Sequence, residues 1–385
     1  MGDIVKFYSG LTYSPENVIE SGGTFVLRSS NVVDGEIVDA DNVYVNSDVV
    51  NCNNVEVGDV IVVVRNGSRN LIGKHAQIKT AMADTVIGAF MTGLRSTQPE
   101  FANALLDTQQ FDVEITKNLG ATINQITTGA FKQMTFSIPQ STPEQTAIGS
   151  FFRTLDNTIT LHKRKLDSLK KVKMGYLQQM FPQEGESVPR VRFVGFTGDW
   201  KQRNLGEVAE ITGGGTPDTT NFDYWDGDFD WYSPVEIGKE IYAFGSQRKI
   251  TELGLKKSSA KILPANRTIL FTSRAGIGDM AILKNPAATN QGFQSLVVND
   301  NYDVYFIYSM GSRIKEYALK NASGSTFLEI SGKGLSKMEV LIPSAEEQYI
   351  IGNFFHNLDE QITTQQTKLD KLKQLKQAYL QKMFV

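Results

Sequence analysis

One cysteine and three histidines in 385 residues leave little room for metal or disulfide chemistry. Cys52 has no second cysteine to pair with, and His75, His162 and His356 lie far apart, so no Cys/His metal-ligand spacing occurs. Long apolar runs are missing too: no stretch approaches the roughly 18 residues that a membrane span needs. The opening MGDIVKFYSG lacks the basic, apolar and small-residue succession of a secretory signal. A soluble cytoplasmic protein with no membrane contact is expected. Excess charge is also absent, the net value being −3, so any binding to nucleic acid must rest on local basic loops or on a partner's charge.

Catalytic signatures are equally scarce. No Asn-Pro-Pro-Tyr or Asp-Pro-Pro-Tyr run is present for methylating a base amine. The nearest approach to a phosphate loop, Gly67 through His75, has one residue too many between Gly67 and Gly73, and His75 stands where a hydroxyl should hold Mg²⁺. Gly213-Gly214-Gly215-Thr216-Pro217 lacks the strand-then-helix setting of a phosphate site and is expected to be a flexible turn. Asp223, Asp226, Asp228 and Asp230 alternate with aromatics without completing a calcium loop, and read as a partly exposed strand and turn. No catalytic residue and no metal ligand is assigned.

What is there is a repeat. EQTAIGSFFRTLDNTITLHKRKLDSLKKVKMGYLQQMF starts at Glu144 and EQYIIGNFFHNLDEQITTQQTKLDKLKQLKQAYLQKMF at Glu347; at an offset of 203, 21 of 38 positions are identical. Both read as long helices with a 4-3 apolar seam. In the first it runs through Ile148, Phe152, Leu155, Ile159, Leu166, Leu169, Tyr176 and Met180. In the second it runs through Ile351, Phe355, Leu358, Ile362, Leu369, Leu372, Tyr379 and Met383. Polar residues interrupt both seams at matching places, His162 with Gln365 and Lys173 with Lys376, where they either fix register or lie at the edge of an irregular packing face. Ile138-Pro139 and Ile342-Pro343 precede serine-containing helix starts. About 35 helical residues would make each helix roughly 50 Å long. The two seams suit each other and predict an antiparallel coiled coil, although either could pair with another chain.

The expected organisation is α+β with a pseudo-two-fold internal repeat: a globular region at 1–138, a long helix at 139–184, a second globular region at 185–341, and a second long helix at 342–385. The globular regions share an opening, Met1-Gly2-Asp3-Ile4 matching Leu205-Gly206-Glu207-Val208, so a counterpart of the lead-in at 188–200 would fall before Met1; either the sequence starts late or the first half manages without it. Each region has a β-branched run that ends in a polar turn: Val60–Val64 before Arg65-Asn66-Gly67-Ser68-Arg69 with Lys74, and Thr268–Phe271 before Ser273-Arg274-Ala275-Gly276. Arg28 and Asn31 in the first half, and Asn290, Gln291 and Ser325 in the second, add further donors. Arginine, asparagine and glutamine can make two-point hydrogen bonds to base edges, while lysine and serine mostly hold phosphates. Any one of these is an ordinary surface turn; recurring in both halves, the set becomes a candidate for DNA contact.

The IGxFFxxLDxxIT core of both helices, the opening Trp200-Lys201-Gln202-Arg203-Asn204-Leu205-Gly206-Glu207-Val208, and Gly214-Gly215-Thr216-Pro217 followed by Tyr224-Trp225-Asp226-Gly227 resemble the specificity subunit of type I restriction–modification systems. The resemblance extends over essentially the whole chain. It implies two target-recognition domains reading the halves of an asymmetric bipartite site in double-stranded DNA, with Phe152, Leu155, Ile159, Leu166 and Leu169 packing on Phe355, Leu358, Ile362, Leu369 and Leu372. It also implies docking of two modification subunits and of restriction subunits. S-adenosylmethionine, ATP and Mg would sit on those partners and none on this chain. The rival reading is a coiled-coil scaffold whose globular regions bind other proteins.

Overall fold

The computed structural model describes residues 1–120, 124–324 and 328–384. The chain divides into two compact units, Met1–Arg164 with Gln366–Val385, and Lys165–Gln365. The two long helices, Thr142–Gln179 and Ala345–Met383, lie within the ranges 139–184 and 342–385. Each unit contains the first part of one helix and the last part of the other.

In the first unit, β1 (Lys6–Ser9), β2 (Thr24–Leu27), β3 (Val60–Val63), β4 (His75–Gln77), β5 (Thr85–Ile87) and β6 (Met91–Arg95) form the frame. A four-stranded antiparallel sheet runs β1-β6-β3-β4. β3 lies inside it and all four of its residues are buried, which is why Val-Ile-Val-Val is apolar on both faces rather than alternating. β2 pairs in parallel with β5 in a second sheet.

The second unit repeats this plan with other residues. Its strands are β7 (Lys201–Asn204), β8 (Ala209–Gly213), β9 (Trp225–Tyr232), β10 (Thr268–Phe271), β11 (Met280–Leu283), β12 (Ala287–Thr289), β13 (Gln294–Val298) and β14 (Glu339–Ile342). The main sheet runs β8-β13-β10-β11, extended by Tyr242–Ala243, and β9 pairs in parallel with β12. The shared opening makes the same bonds in both units. The Leu205 and Gly206 amides donate to Met338 O and Ser336 O at 2.8 and 3.0 Å, and the Met1 amine and Gly2 amide donate to Met134 O and Lys132 O at 2.6 and 3.0 Å. The glycine run is a close-packed passage, not a flexible turn. The Gly215 amide donates to Thr289 O and its carbonyl accepts from Trp231 Nε1, both at 2.8 Å, while a Cβ on Gly214 would lie 2.1 Å from Asn290 O.

The helix seam is present, and it is antiparallel in each unit. In the first, Phe152 faces Phe384 and Asp156 meets Lys376, one number falling as the other rises, and Phe151 meets Tyr379 on the same face. In the second the roles are exchanged: Phe355 faces Phe181, Phe354 meets Tyr176, and Asp359 meets Lys173. Phe152, Leu155, Leu166, Phe355, Leu358 and Leu369 are buried, and Ile159, Leu169, Ile362 and Leu372 half-buried. Tyr176 and Tyr379, read as seam residues, are each 37% exposed and lie on the flank instead. The interrupting lysines are partnered. Lys173 Nζ lies 2.5 Å from Asp359, and Lys376 Nζ lies 2.5 Å from Asp156 and 2.7 Å from Asp107, so each long stem crosses the apolar seam to a carboxylate.

Asp107 also faces His75 Nε2 at 3.5 Å. Burial opposes protonation of His75, but the hydrogen bond and charge of Asp107 outweigh it and hold the imidazole pKa above 6.5; nearby Lys376 acts the other way. Burial alone would raise the Asp107 pKa, yet His75 and Lys376 hold it well below the usual carboxylate range. A raised histidine pKa contributes stability that is complete below about pH 6.5 and is lost as pH rises through the folded value. The depressed carboxylate contributes above about pH 4 and loses its share as pH falls. The melting temperature is therefore expected to decline from pH 6 to pH 8.5. His75→Gln should flatten that decline in calorimetry, and an unchanged slope would rule out this pair as its source.

Candidate nucleic-acid interface

The two polar loops that follow β3 and β10 occupy equivalent places. Arg65 forms an isolated antiparallel bridge to Gln125, and Arg274 forms one to Glu329. The residues beside them repeat the bonding, with Ile126 N donating to Val64 O at 2.8 Å and Ile330 N to Ser273 O at 3.1 Å. Both arginines thus stand on backbone held by neighbouring strands, so their positions are set by the sheet rather than by a free loop.

Around Arg65 the chain builds a cleft. The guanidinium carbon sits 4.9 Å from the Phe90 ring centroid, and Phe90 is 52% exposed. Stacking on an aromatic face restrains the guanidinium while leaving its in-plane donors available; no hydrogen bond or ion pair takes them among the described residues. A cavity of about 800 Å³ beside it is lined by Tyr13, Arg28, Asp41, Asn66 and Phe90. Arg28 is tied to the Asp41 carboxylate and, at 2.7 Å, to the Asp41 carbonyl, while its buried Nε has no partner. The Asn66 amide is committed, donating to Ser29 Oγ at 3.1 Å and accepting from Ser68 N at 3.0 Å. Arg69 is exposed in a short 3-10 turn. Lys74 is half-buried in the field of Asp34, which is itself paired with Lys163 of the first long helix.

In the second unit Arg274 lies against a turn made by Asn290 through Gly292. Asn290 Oδ1 accepts from Gly292 N at 2.7 Å, and Gln291, exposed, accepts from Thr216 Oγ1. A Cβ on Gly292 would fall 2.8 Å from Pro234 Cγ and 3.5 Å from Arg274 Nε, so this close approach requires glycine. Glu329 holds Arg274 loosely, at 4.0 Å.

Two of the residues read as DNA contacts are excluded by burial. Asn31 is fully buried and spends its amide inside the fold, accepting from Arg28 N at 2.9 Å and donating to Ala40 O at 2.8 Å and Asn42 Oδ1 at 3.0 Å. Ser273 is fully buried beneath Glu329. Ser325 lies outside the described residues. Phe90 and Tyr13 were missed. Within Gly88-Ala89-Phe90-Met91, Phe90 reads as core like its buried neighbour Met91, and its register counterpart is Gly292: Phe90 O accepts from Val64 N as Gly292 O accepts from Ser273 N.

Two equivalently placed arginines, one stacked on an exposed ring and one beside an Asn-Gln-Gly turn, can offer forked donors to base edges. Guanine N7 and O6 match that fork. The adjacent carboxylates of Asp41 and Glu329 offset part of the positive charge, which suits discrimination better than indiscriminate attraction to phosphate. Among the described residues no group of histidine, cysteine and carboxylate side chains could hold a metal ion, and no helix is long and apolar enough to cross a membrane.

The chain is 37% identical over 181 residues to the type I restriction enzyme MjaIX specificity subunit of Methanocaldococcus jannaschii, covering 45% of this chain and 42% of that protein. It is 32% identical over 170 residues to the EcoR124I/EcoR124II specificity subunit of Escherichia coli, covering 42% and 41%. The matched stretches therefore span less than half the length of these relatives. Its fold is that of the type I restriction–modification system S subunit from M. genitalium, with a TM-score of 0.67 at 17% identity over 100% of this chain and 94% of that one. A type I restriction modification DNA specificity domain matches residues 1–171 and again 197–374, and the chain belongs to that family.

Proposed function

We propose that this chain is the sequence-reading subunit of a type I restriction–modification complex in the cytoplasm, each unit reading one part of a bipartite site in double-stranded DNA. The observation that carries the reading is the equivalence of Arg65 and Arg274, each fixed at the end of the same strand of a repeated sheet. The residues around them differ, Phe90, Tyr13 and Arg28 in one unit and Gln291, Asn290 and Pro234 in the other, so the two half-sites differ and the whole is not palindromic. A scaffold that binds only proteins accounts for the long helices but gives no reason for this pairing. The chain itself performs no catalytic step in this reading: partners carry S-adenosylmethionine for adenine methylation, and ATP and Mg for translocation and cleavage. Co-expression with an adenine methyltransferase subunit tests it. Genomic adenine methylation at one bipartite motif should vanish when this chain is omitted, and methylation that persists unchanged would favour the scaffold.

The helices also carry a duplicated exposed apolar stripe. Val172 and Tyr176 in one, Leu375 and Tyr379 in the other, occupy matching repeat positions and are 37–46% exposed. Two copies of one surface suit two copies of one partner, and these are the docking faces for two modification subunits. Val172→Glu or Leu375→Glu alone should leave complexes with a single modification subunit in native mass spectrometry. Full occupancy in both variants would contradict this assignment.

A further inference from the structure

The two units carry the same strands with different side chains. β2 and β9 match by their parallel partners: Leu27 lies opposite Ile87 and Tyr232 opposite Thr289, and the amides of Gly88 and Asn290 donate to Leu27 O and Tyr232 O at 2.8 and 3.0 Å. Val26 is therefore the counterpart of Trp231. On the other edge of these strands Val43 pairs with Val26 and Arg248 with Trp231; two residues on, Val45 pairs with Val18 and Ile250 with Trp225. Val18 and Val43 of the first unit thus stand where the second has Trp225 and Arg248.

That exchange decides what fills the place. In the second unit the Arg248 guanidinium carbon lies 3.6 Å from the centroid of the buried Trp225 ring, whose Nε1 donates to Asp218 O at 3.0 Å. In the first unit the two valines line the cavity of about 800 Å³ that Leu11, Tyr13 and Phe90 also wall. All of these positions fall inside the shared part of the repeat, after Met1 and Leu205. The polar lining differs as well. Arg28 and Ser30 line the cavity, and Arg28 Nε and Ser30 Oγ are shielded from water with no partner among the described residues. Asn31 Oδ1 accepts from Arg28 N as Glu236 Oε1 accepts from Ser233 N, which makes Ser233 and Val235 the counterparts of Arg28 and Ser30. Ser233 Oγ donates to Glu236 Oε1 at 2.8 Å and Val235 is apolar, so the second unit has no such unpaired couple there. An aromatic-walled apolar recess with two unpaired polar groups suits a planar heteroaromatic ligand, stacked by the walls and oriented by hydrogen bonds.

We propose that the cavity of the first unit takes a nucleobase turned out of the stack of the bound DNA. The inference rests on the reading of Arg65 as a base contact. Phe90 joins the two sites, its ring carrying Arg65 and lining the cavity, so a base next to the one that Arg65 holds is within reach. Tyr13 and Phe90 supply stacking faces, Val18 and Val43 leave the space, and Arg28 and Ser30 bond the base edge. Leaving the helix costs unpairing and unstacking, which the cavity offsets only for a base that fits, so the first unit gains selectivity beyond edge reading. The second unit, with Trp225 and Arg248 in that place, reads an intact stack.

The test uses the full chain with its methyltransferase partner on duplexes of the mapped motif, in which a fluorescent analogue, 2-aminopurine or pyrrolocytosine, replaces each base in turn. One position in the half-site that Arg65→Ala relaxes should brighten severalfold on binding, and none in the other half. A mismatch at that position, which removes the cost of unpairing, should tighten binding roughly tenfold. Val18→Trp, at a position 43% exposed, should abolish the brightening, as should Val43→Arg, while the other half-site is still recognised. Specific binding without brightening at any position, or brightening that survives both variants, would overturn the inference and leave the proposed reading standing. Loss of all sequence preference by the unaltered chain would overturn that reading, and the inference with it.

Discussion

Lys376→Met is expected to destabilise the first unit by about 2–4 kcal/mol, among the largest effects of any single change in the helix pair. The lysine is mostly buried and its ammonium is shared by Asp107 and Asp156, which are also largely shielded from water. Without it, two carboxylates are left with His75 beside Asp107 and, without direct contact, the charge of Lys79 acting on Asp156. Removing one partner of a buried ion pair costs far more than the pair itself contributes, because the remaining charge stays desolvated. At this unit size the loss corresponds to a melting transition lower by roughly 5–15 °C. Lys173→Met, at the matching position, should cost clearly less, about 1–2 kcal/mol, because it leaves one carboxylate, Asp359, still accepting from Tyr305 Oη at 2.8 Å. Pairing Lys376→Met with Asp156→Leu should recover part of the loss. Equal effects of the two lysine changes in calorimetry would contradict the asymmetry.

Arg65→Ala and Arg274→Ala should each weaken specific DNA binding by roughly 1–3 kcal/mol, and each should relax discrimination in only one half of the site. For Arg65 the stacked Phe90 ring holds the fork in place, so Arg65→Lys should not rescue it: an ammonium lacks both the planar stack and the two-point geometry. For Arg274 the loose contact to Glu329 must be released on binding, and Glu329→Gln should tighten non-specific binding while reducing selectivity. Competition binding against DNAs altered in one half-site, at fixed salt, separates the possibilities. A uniform loss across all sequences with a shallower salt dependence would make these residues phosphate contacts.

The helices were legible because their signal is local: a 4-3 spacing needs only helical geometry to become a buried stripe, whereas the interrupting lysines, read only as register-fixing or edge residues, reach carboxylates that the seam pattern does not name. The repeated sheet was not legible. The offset that aligns the helices does not bring Arg65 opposite Arg274, and only strand register shows their equivalence. Asn31 looked like a surface donor in a polar turn, but its carbonyl caps the Arg28 amide three residues back, a local bond that draws it inward. Ser273 failed for a different reason, buried by a distant bridge to Glu329 that no local pattern predicts. Phe90 and Gly292 stand at matching register, each accepting from the residue before the arginine, and the next positions, Met91 and Phe293, are both buried, so the apolar run alone could not separate reader from core.

The proposed function places two independent readers on one chain. Replacing residues 1–138 with the corresponding region of another family member, then mapping methylated adenines in cells that also express the methyltransferase partner, tests it most directly. One half of the motif should change while the other half and the gap between them stay the same; a change in both halves would mean that the two units do not read independently.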